Sequence, residues 1–136
     1  MTFNIIATLA SVALCCFGAT AGFSQKPVPA AVCEAFSQKF PGVSDVDWDK
    51  ENDREWEAGF EQNGIEMSAS FRADGAWLET ETEIKAADLP APVQAALKGK
   101  KVREAARIER ADGTTVFEAE VGNKDLLFDA AGKRLN

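Results

Sequence analysis

The residues of this sequence whose types and spacing could do chemistry are mainly acidic. Asp45, Asp47 and Asp49 stand at alternate positions at the start of the acidic stretch 45–53. Hard cations such as Ca²⁺ bind through several carboxylate oxygens. A calcium loop of the EF-hand type that began at Asp45 would need glycine at its sixth position and glutamate at its twelfth, but lysine and tryptophan stand there. We therefore interpret the stretch as a strand with solvated aspartates, and weak calcium binding by these three residues is the alternative.

Catalysis by carboxylates or by serine is a second chemistry to consider. Glu79, Glu81 and Glu83 alternate with threonines, and paired carboxylates can act as general acid and base. Such sites need a concave pocket and an apolar setting, which alternate positions of an exposed strand do not provide. The sequence contains no histidine, so Ser68 and Ser70 have no base for a Ser-His-acid site. We predict no catalytic residue, no cofactor and no enzymatic activity.

The elements that position these residues are clearest between residues 56 and 71. Apolar residues alternate with polar ones from Trp56 to Phe60 and again from Ile65 to Phe71, and Asn63-Gly64 lies between the two runs. Alternation indicates a strand with one buried face, and Asn-Gly tolerates the positive φ of a tight turn. The pattern predicts a β-hairpin.

A weaker copy of the same elements follows later in the chain. An offset of 61 residues superimposes the helical stripe Val28, Val32 and Phe36 on Leu89, Val93 and Leu97, and it superimposes Trp56, Ala58 and Phe60 on Phe117, Ala119 and Val121. Matching helix and strands at one offset indicates a tandem repeat. We expect an α+β fold in which two helix-plus-four-strand repeats, about 27–84 and 88–136, share one antiparallel sheet of about eight strands. Both helices are expected to pack on one face of this sheet, since neither unit alone would bury a sufficient core.

Trp77 is the candidate anchor for a partner. A loop in the second copy is four residues shorter than its counterpart in the first, so the offset after it falls from 61 to 57. This offset pairs Leu78 with Leu135 and Trp77 with Arg134. If the leucines point to the core, Trp77 and Arg134 point away from it, and an exposed tryptophan among charged residues is a common interface layout. The alternative is that a loop or the other repeat covers Trp77. The residues predicted to contact a partner on this outward face are Trp77, Glu57, Glu61, Arg72 and Arg134.

The motifs also resemble those of a known family. They include Val46-Asp47-Trp48, Trp56-Glu57-Ala58, Asn63-Gly64, Trp77-Leu78-Glu79 and Phe117-Glu118-Ala119. In their order and spacing they resemble the PepSY-like family of exported bacterial proteins, whose fold is akin to the β-lactamase inhibitory protein. The resemblance implies a fold and a periplasmic or extracellular location, but no activity and no functional residue. The family often has tyrosine where this chain has Trp56 and Phe117. The lack of a tyrosine hydroxyl at these positions disfavours any role that needs it.

The N-terminus and the charge limit the location and the partners. Residues 5–17 are apolar and precede Ala19-Thr20-Ala21, a pattern typical of a signal peptide over 1–21, and an uncleaved anchor is the alternative. Residues 22–136 would then form the exported domain, with one cysteine, Cys33, and a net charge of −7. This charge argues against nucleic acid and anionic membrane surfaces as partners.

These observations favour an exported, non-catalytic module that binds a protein or peptide of the cell envelope through the exposed sheet face, with inhibition as one form of that binding. The alternative function is a periplasmic sensor of calcium or a small ligand that uses the acidic strand 45–53.

Overall fold

The structure, a computed structural model, describes residues 27–136. The predicted signal peptide, residues 1–21, lies outside the described residues.

The described chain is an α+β fold with one antiparallel sheet, whose seven strands follow one another in sequence order. The two helices are α1 (Ala30–Lys39) and α2 (Ala91–Ala96), and a short 3-10 turn covers Ala86–Asp88. The strands are β1 (Val46–Lys50), β2 (Glu55–Gln62), β3 (Ile65–Arg72), β4 (Trp77–Ile84), β5 (Val102–Arg110), β6 (Thr115–Val121) and β7 (Lys124–Phe128).

The chain divides into two compact units. Unit 1 ends at Leu78 and unit 2 runs from Glu79 to Asn136.

In unit 1, α1 packs its apolar stripe on one face of β1, β2 and β3. Pro29 precedes the first helical residue, where its missing N–H leaves no hydrogen bond unmade, and the helix ends at Lys39 before Pro41. Val32 and Phe36 are buried against the strands. The core residues of the cluster are Val32, Phe36, Phe40, Val46, Trp56, Ala58, Phe60, Ala69 and Phe71.

The hairpin predicted at Asn63-Gly64 is confirmed. Asn63 has φ 55° and Gly64 has φ 75°, the two positive values of a two-residue type I′ turn. The turn sets the register in which Trp56 lies opposite Phe71. These paired residues therefore share the face that α1 covers.

Unit 2 also has a helix packed on one face of its strands, and this helix is shorter. α2 follows Pro90 and ends at Ala96, and Leu97 is its C-cap residue. The stripe of Leu89, Val93 and Leu97 packs with Ala105, Ala119, Leu126 and Phe128 from β5, β6 and β7.

The prediction of about eight strands is not met within residues 27–136, where the sheet has seven. The eighth position is reduced to a single bridge between Phe128 and Arg134. Beyond it, the Asn136 side chain replaces a backbone partner: its Oδ1 accepts a hydrogen bond from the Leu127 N–H at 2.9 Å, and its Nδ2 donates to the Asp125 carbonyl at 2.9 Å. Leu135 is 46% exposed, so the condition that both leucines point to the core is not met.

Candidate functional site

The face of unit 1 opposite α1 is the candidate site. Because successive strand residues point to opposite sides, the cross-strand register assigns ten residues to this side. We call them the outer face of unit 1: Asp47, Asp49, Glu55, Glu57, Gly59, Glu61, Glu66, Ser68, Ser70 and Arg72.

The centre of the outer face of unit 1 is low and its margin is charged. Asp47, Gly59 and Ser68 lie side by side across β1, β2 and β3. Ser68 is 7% exposed, and Gly59 has no side chain. The small side chains at this point are shorter than the charged side chains around them.

Three of the five residues predicted to contact a partner lie on this face. Glu61 is exposed and lies opposite Glu66, while Arg72 is exposed and lies opposite Glu55. Glu57 lies opposite Asp49 on one side and Ser70 on the other. The three residues therefore share one face of the sheet, and their role as partner contacts stays a prediction.

The environment of Glu57 is unusual for a surface carboxyl group. Burial raises its pKa from 4.5 to about 7, a hydrogen bond from the Ser68 hydroxyl opposes the rise, and Glu51 and Asp49 add to it through their negative charges. Burial and neighbouring like charges both disfavour the ionised form. Glu57 is therefore a proton-binding group close to neutral pH, and the alternation pattern gave no sign of this.

The other two predicted contacts, Trp77 and Arg134, lie on the helix side instead. The Arg72 N–H donates to the Ala76 carbonyl at 2.8 Å across the turn at residues 73–75, and this register sets Trp77 opposite Phe71 on the core side. Trp77 packs against the core of unit 1, and the Lys39 Nζ lies 3.6 Å from the centroid of its ring. Arg134 forms an isolated antiparallel β-bridge with Phe128, which is a core residue of unit 2. The predicted outward direction of both side chains was wrong, since Trp77 packs with the core that α1 covers and Arg134 pairs with a core residue of unit 2.

The acidic strand does not gather into a metal site. Asp45 precedes β1, Asp47 lies opposite Gly59 and Asp49 lies opposite Glu57. Within residues 27–136, no three side chains of the His, Cys, Asp or Glu type come close enough together to hold a metal ion.

An open depression continues from the outer face at the Glu61 end. It has a volume of about 370 Å³ and lies between the loop at residues 41–45 and the hairpin end at residues 61–63. Asp45 and Glu61 are its ionisable lining residues, so the depression is acidic as well.

Unit 2 carries a corresponding acidic face on the side opposite α2. Glu118 lies on β6 between Ala106 of β5 and Leu127 of β7. Burial raises its pKa from 4.5 to about 7, and the charges of Asp125, Glu79 and Glu120 add to the rise. Sequence reasoning missed this residue, although the offset of 61 that relates the two helices also relates Glu118 to Glu57.

Two arginines of unit 2 form ion pairs with acidic residues of this region. Arg103 Nη1 lies 2.8 Å from Glu120 Oε1, and Arg110 Nε lies 3.1 Å from Glu79 Oε2. Buried Ile108 and Val116 also lie on this side of the strands. The face is therefore a mixture of apolar residues and carboxylates.

A family model described as "Putative beta-lactamase-inhibitor-like, PepSY-like" matches residues 54–135, more than half of the chain. The chain belongs to this PepSY-like family. The match includes Glu57, Glu61, Arg72, Trp77, Glu118 and Arg134. It leaves out Asp45, Asp47 and Asp49.

Solved structures with the same fold come from Bacteroides species. One from Bacteroides eggerthii, described as "putative periplasmic proteins", has a TM-score of 0.73 and 20% identity, covering 81% of this chain and 87% of that chain. A "DUF2874 family protein" from Bacteroides uniformis has a TM-score of 0.71 and 21% identity, covering 79% and 86%. A "BLIP-like protein" from Bacteroides fragilis has a TM-score of 0.69 and 24% identity, covering 83% and 86%. At these identities the likeness shows the PepSY-like fold alone.

No curated protein matches the chain. Within the described part of the PepSY-like chain, no helix is long and apolar enough to cross a membrane.

Proposed function

We propose that this PepSY-like protein is an exported, non-catalytic module that binds a protein or peptide through the outer face of unit 1. Glu57, Glu61 and Arg72 are the proposed contacts. The observation that carries the proposal is the low centre formed by Gly59 and Ser68, with charged residues at its margin. A partner backbone can approach such a centre closely, while the charged margin orients it.

The chemistry of the partner follows from the charge of this face. Its ionisable groups are six carboxylates and one guanidinium, that of Arg72. Complementary potentials favour a partner segment that presents lysine or arginine. The proposal therefore names a basic segment of an envelope protein or peptide.

Three further observations support an exported, non-catalytic binding role. The family description is inhibitor-like, and a structural neighbour is described as periplasmic. The chain contains no histidine, the residue used most often as a general base. Trp77 and Arg134 lie on the helix side, so the proposal does not assign them to the same contact surface.

We also propose that the two units arose as a tandem repeat, which gives the module two versions of one scaffold. A Cβ atom added to Gly75 would lie 2.6 Å from the Ala31 carbonyl oxygen, and one added to Gly132 would lie 2.5 Å from the Pro92 carbonyl oxygen. The offset of 61 relates Ala31 to Pro92, and the offset of 57 relates Gly75 to Gly132. These are the two offsets that the apolar pattern predicts. Agreement at positions outside the apolar pattern supports duplication.

The experiment compares matched charge reversals. Glu61→Lys reverses a charge on the outer face, while Glu34→Lys makes the same change at an exposed position of α1. The immobilised protein and both variants are exposed to an envelope extract of the organism that makes the protein, with chemical crosslinking to locate the contact. We expect the Glu61 variant to lose a partner that the wild type and the Glu34 variant retain, with crosslinks to β2 or β3. Equal capture by all three proteins would contradict the proposal.

A further inference from the structure

Glu57 and Glu118 occupy matching places in the two units. Each lies on the second strand after its helix, in β2 and β6, on the side opposite that helix. Each is half-buried and has a paired strand on both sides. Water solvates the charge of a carboxyl group at such a position less well than it solvates the charge of one at a strand end.

The groups that face Glu57 offer it little positive charge. Directly opposite are Asp49 on β1 and Ser70 on β3. Arg72 is a diagonal neighbour of Glu57, but its Nε lies 3.5 Å from Asp74 Oδ1. Its positive charge is therefore paired with the Asp74 carboxylate. The remaining polar or charged neighbours on β1, the following turn, β2 and β3 are Asp47, Glu51, Glu55, Glu61, Glu66 and Ser68.

Glu118 has the same kind of surroundings. The residues directly opposite, Ala106 and Leu127, are apolar. The charged groups on the same side of β4, β5, β6 and β7 are Glu79, Glu81, Glu83, Glu104, Arg110, Glu120 and Asp125. Arg110 pairs with Glu79 at 3.1 Å, and Arg103 pairs with Glu120 at 2.8 Å. The nearby guanidinium groups are therefore held by other carboxylates.

We propose that Glu57 and Glu118 form a matched pair of proton switches, one in each unit, which are neutral in mildly acidic surroundings and ionised in mildly alkaline ones. Half-burial between two strands, neighbouring carboxylates and engaged arginines all favour the neutral form. The pKa of about 7 for each group is consistent with this geometry. The effect on binding rests on the proposed function: ionised Glu57 makes unit 1 capture a basic partner segment more strongly at pH 8 than at pH 6.

Carboxyl-carbon NMR during a pH titration of the exported protein tests the switch without any partner. We expect two side-chain carboxyl resonances with midpoints near pH 7, against about 4.3 for a free glutamate. Glu57→Gln should remove one of them and Glu118→Gln the other, while Glu34→Gln should remove neither. Isotope labelling with sequential assignment identifies the Glu57 and Glu118 resonances in the wild type, so a variant that fails to fold does not obstruct the test. A midpoint below pH 5.5 for either carboxyl group would overturn the matched pair.

Partner capture by the wild type at pH 6 and pH 8 separates the switch from the proposed function. Stronger capture at pH 8, with the difference lost in Glu57→Gln, supports regulation of the face. Equal capture at both pH values, with midpoints near 7, overturns the regulation. If crosslinking detects no contact on the outer face at either pH while both groups still titrate near pH 7, the proposed function fails and the switch stands.

Discussion

At the scale of single residues, the side chains that matter most are those whose burial departs from their type. Glu57 and Glu118 are acidic residues on strand positions that alternation predicts to be solvated, yet both are half-buried. Trp77, expected on the open side, packs against the core instead. Each of these departures leads to a measurement on one side chain.

We expect the stability of the protein to fall as the pH rises from 4.5 to 7, in part because of Glu57. Its pKa is about 7 in the folded state and 4.5 for the unperturbed group, so between these values the folded state binds more protons than the unfolded state. Glu57→Gln should therefore raise the melting temperature at pH 8 and leave it unchanged at pH 4. Allowing for solvent screening, the gain is about 1 kcal/mol, or roughly 4 °C.

Circular dichroism melts at the two pH values measure this difference. Glu34→Gln, on the exposed face of α1, serves as the control that removes a carboxylate elsewhere in unit 1. An equal gain from the Glu57 variant at pH 4 and pH 8 would contradict the linkage.

Trp77→Ala should destabilise the protein by about 2 kcal/mol, less than the loss of a fully buried aromatic residue. The ring packs on the core of unit 1 beneath the ammonium group of Lys39. Lys39→Gln removes the cation and keeps the ring, so it should cost only about 0.5 kcal/mol. Urea unfolding of both variants measures the two costs. A neutral Trp77→Ala would show that the packing against the core contributes little.

At the scale of elements, the turns decide where each strand points. The hairpin at Asn63-Gly64 is predictable because its two residues favour the turn that their flanking strands require. The direction of Trp77 is not, because it depends on the register across the turn at residues 73–75, where the Arg72 N–H donates to the Ala76 carbonyl oxygen. The apolar pattern of β4, with Trp77 and Leu78 side by side, fits both directions equally well.

The same turns determine how closely the helices approach. Gly75 has φ 88°, and a Cβ atom there would lie 2.6 Å from the Ala31 carbonyl oxygen. Gly75→Ala should therefore combine backbone strain with a clash against α1 and cost about 3 kcal/mol. Gly42 has φ 85° with nothing within 4 Å of its Cβ position, so Gly42→Ala should cost about 1 kcal/mol.

Thermal and urea unfolding of the two alanine variants isolates the close approach, since the backbone angle is nearly the same in both. Gly132→Ala, which would meet the Pro92 carbonyl oxygen at 2.5 Å, should resemble Gly75→Ala. Equal costs at Gly42 and Gly75 would mean that α1 moves away without penalty.

At the scale of the whole molecule, the architecture was more predictable than the site. The family and the single antiparallel sheet follow from motifs whose spacing is local in the chain. The number of strands differs because the segment after Gly132 forms one bridge where a full strand was expected. The half-burial of Glu57 and Glu118 depends on side chains from neighbouring strands, and no pattern along a single strand contains that information.

The final prediction concerns export of the whole chain. Residues 1–21 carry no charged side chain and end in Ala19-Thr20-Ala21, and signal peptidase accepts small residues at these places. We expect the protein recovered from the cell envelope to begin at Gly22, which the mass of the intact protein will show, and its formal net charge would stay at −7. Ala21→Asp should block cleavage because the peptidase pocket excludes a carboxylate, so the variant should retain residues 1–21. Recovery of the wild type with its full N-terminus would instead favour an anchored protein, and the outer face would then act at the membrane surface.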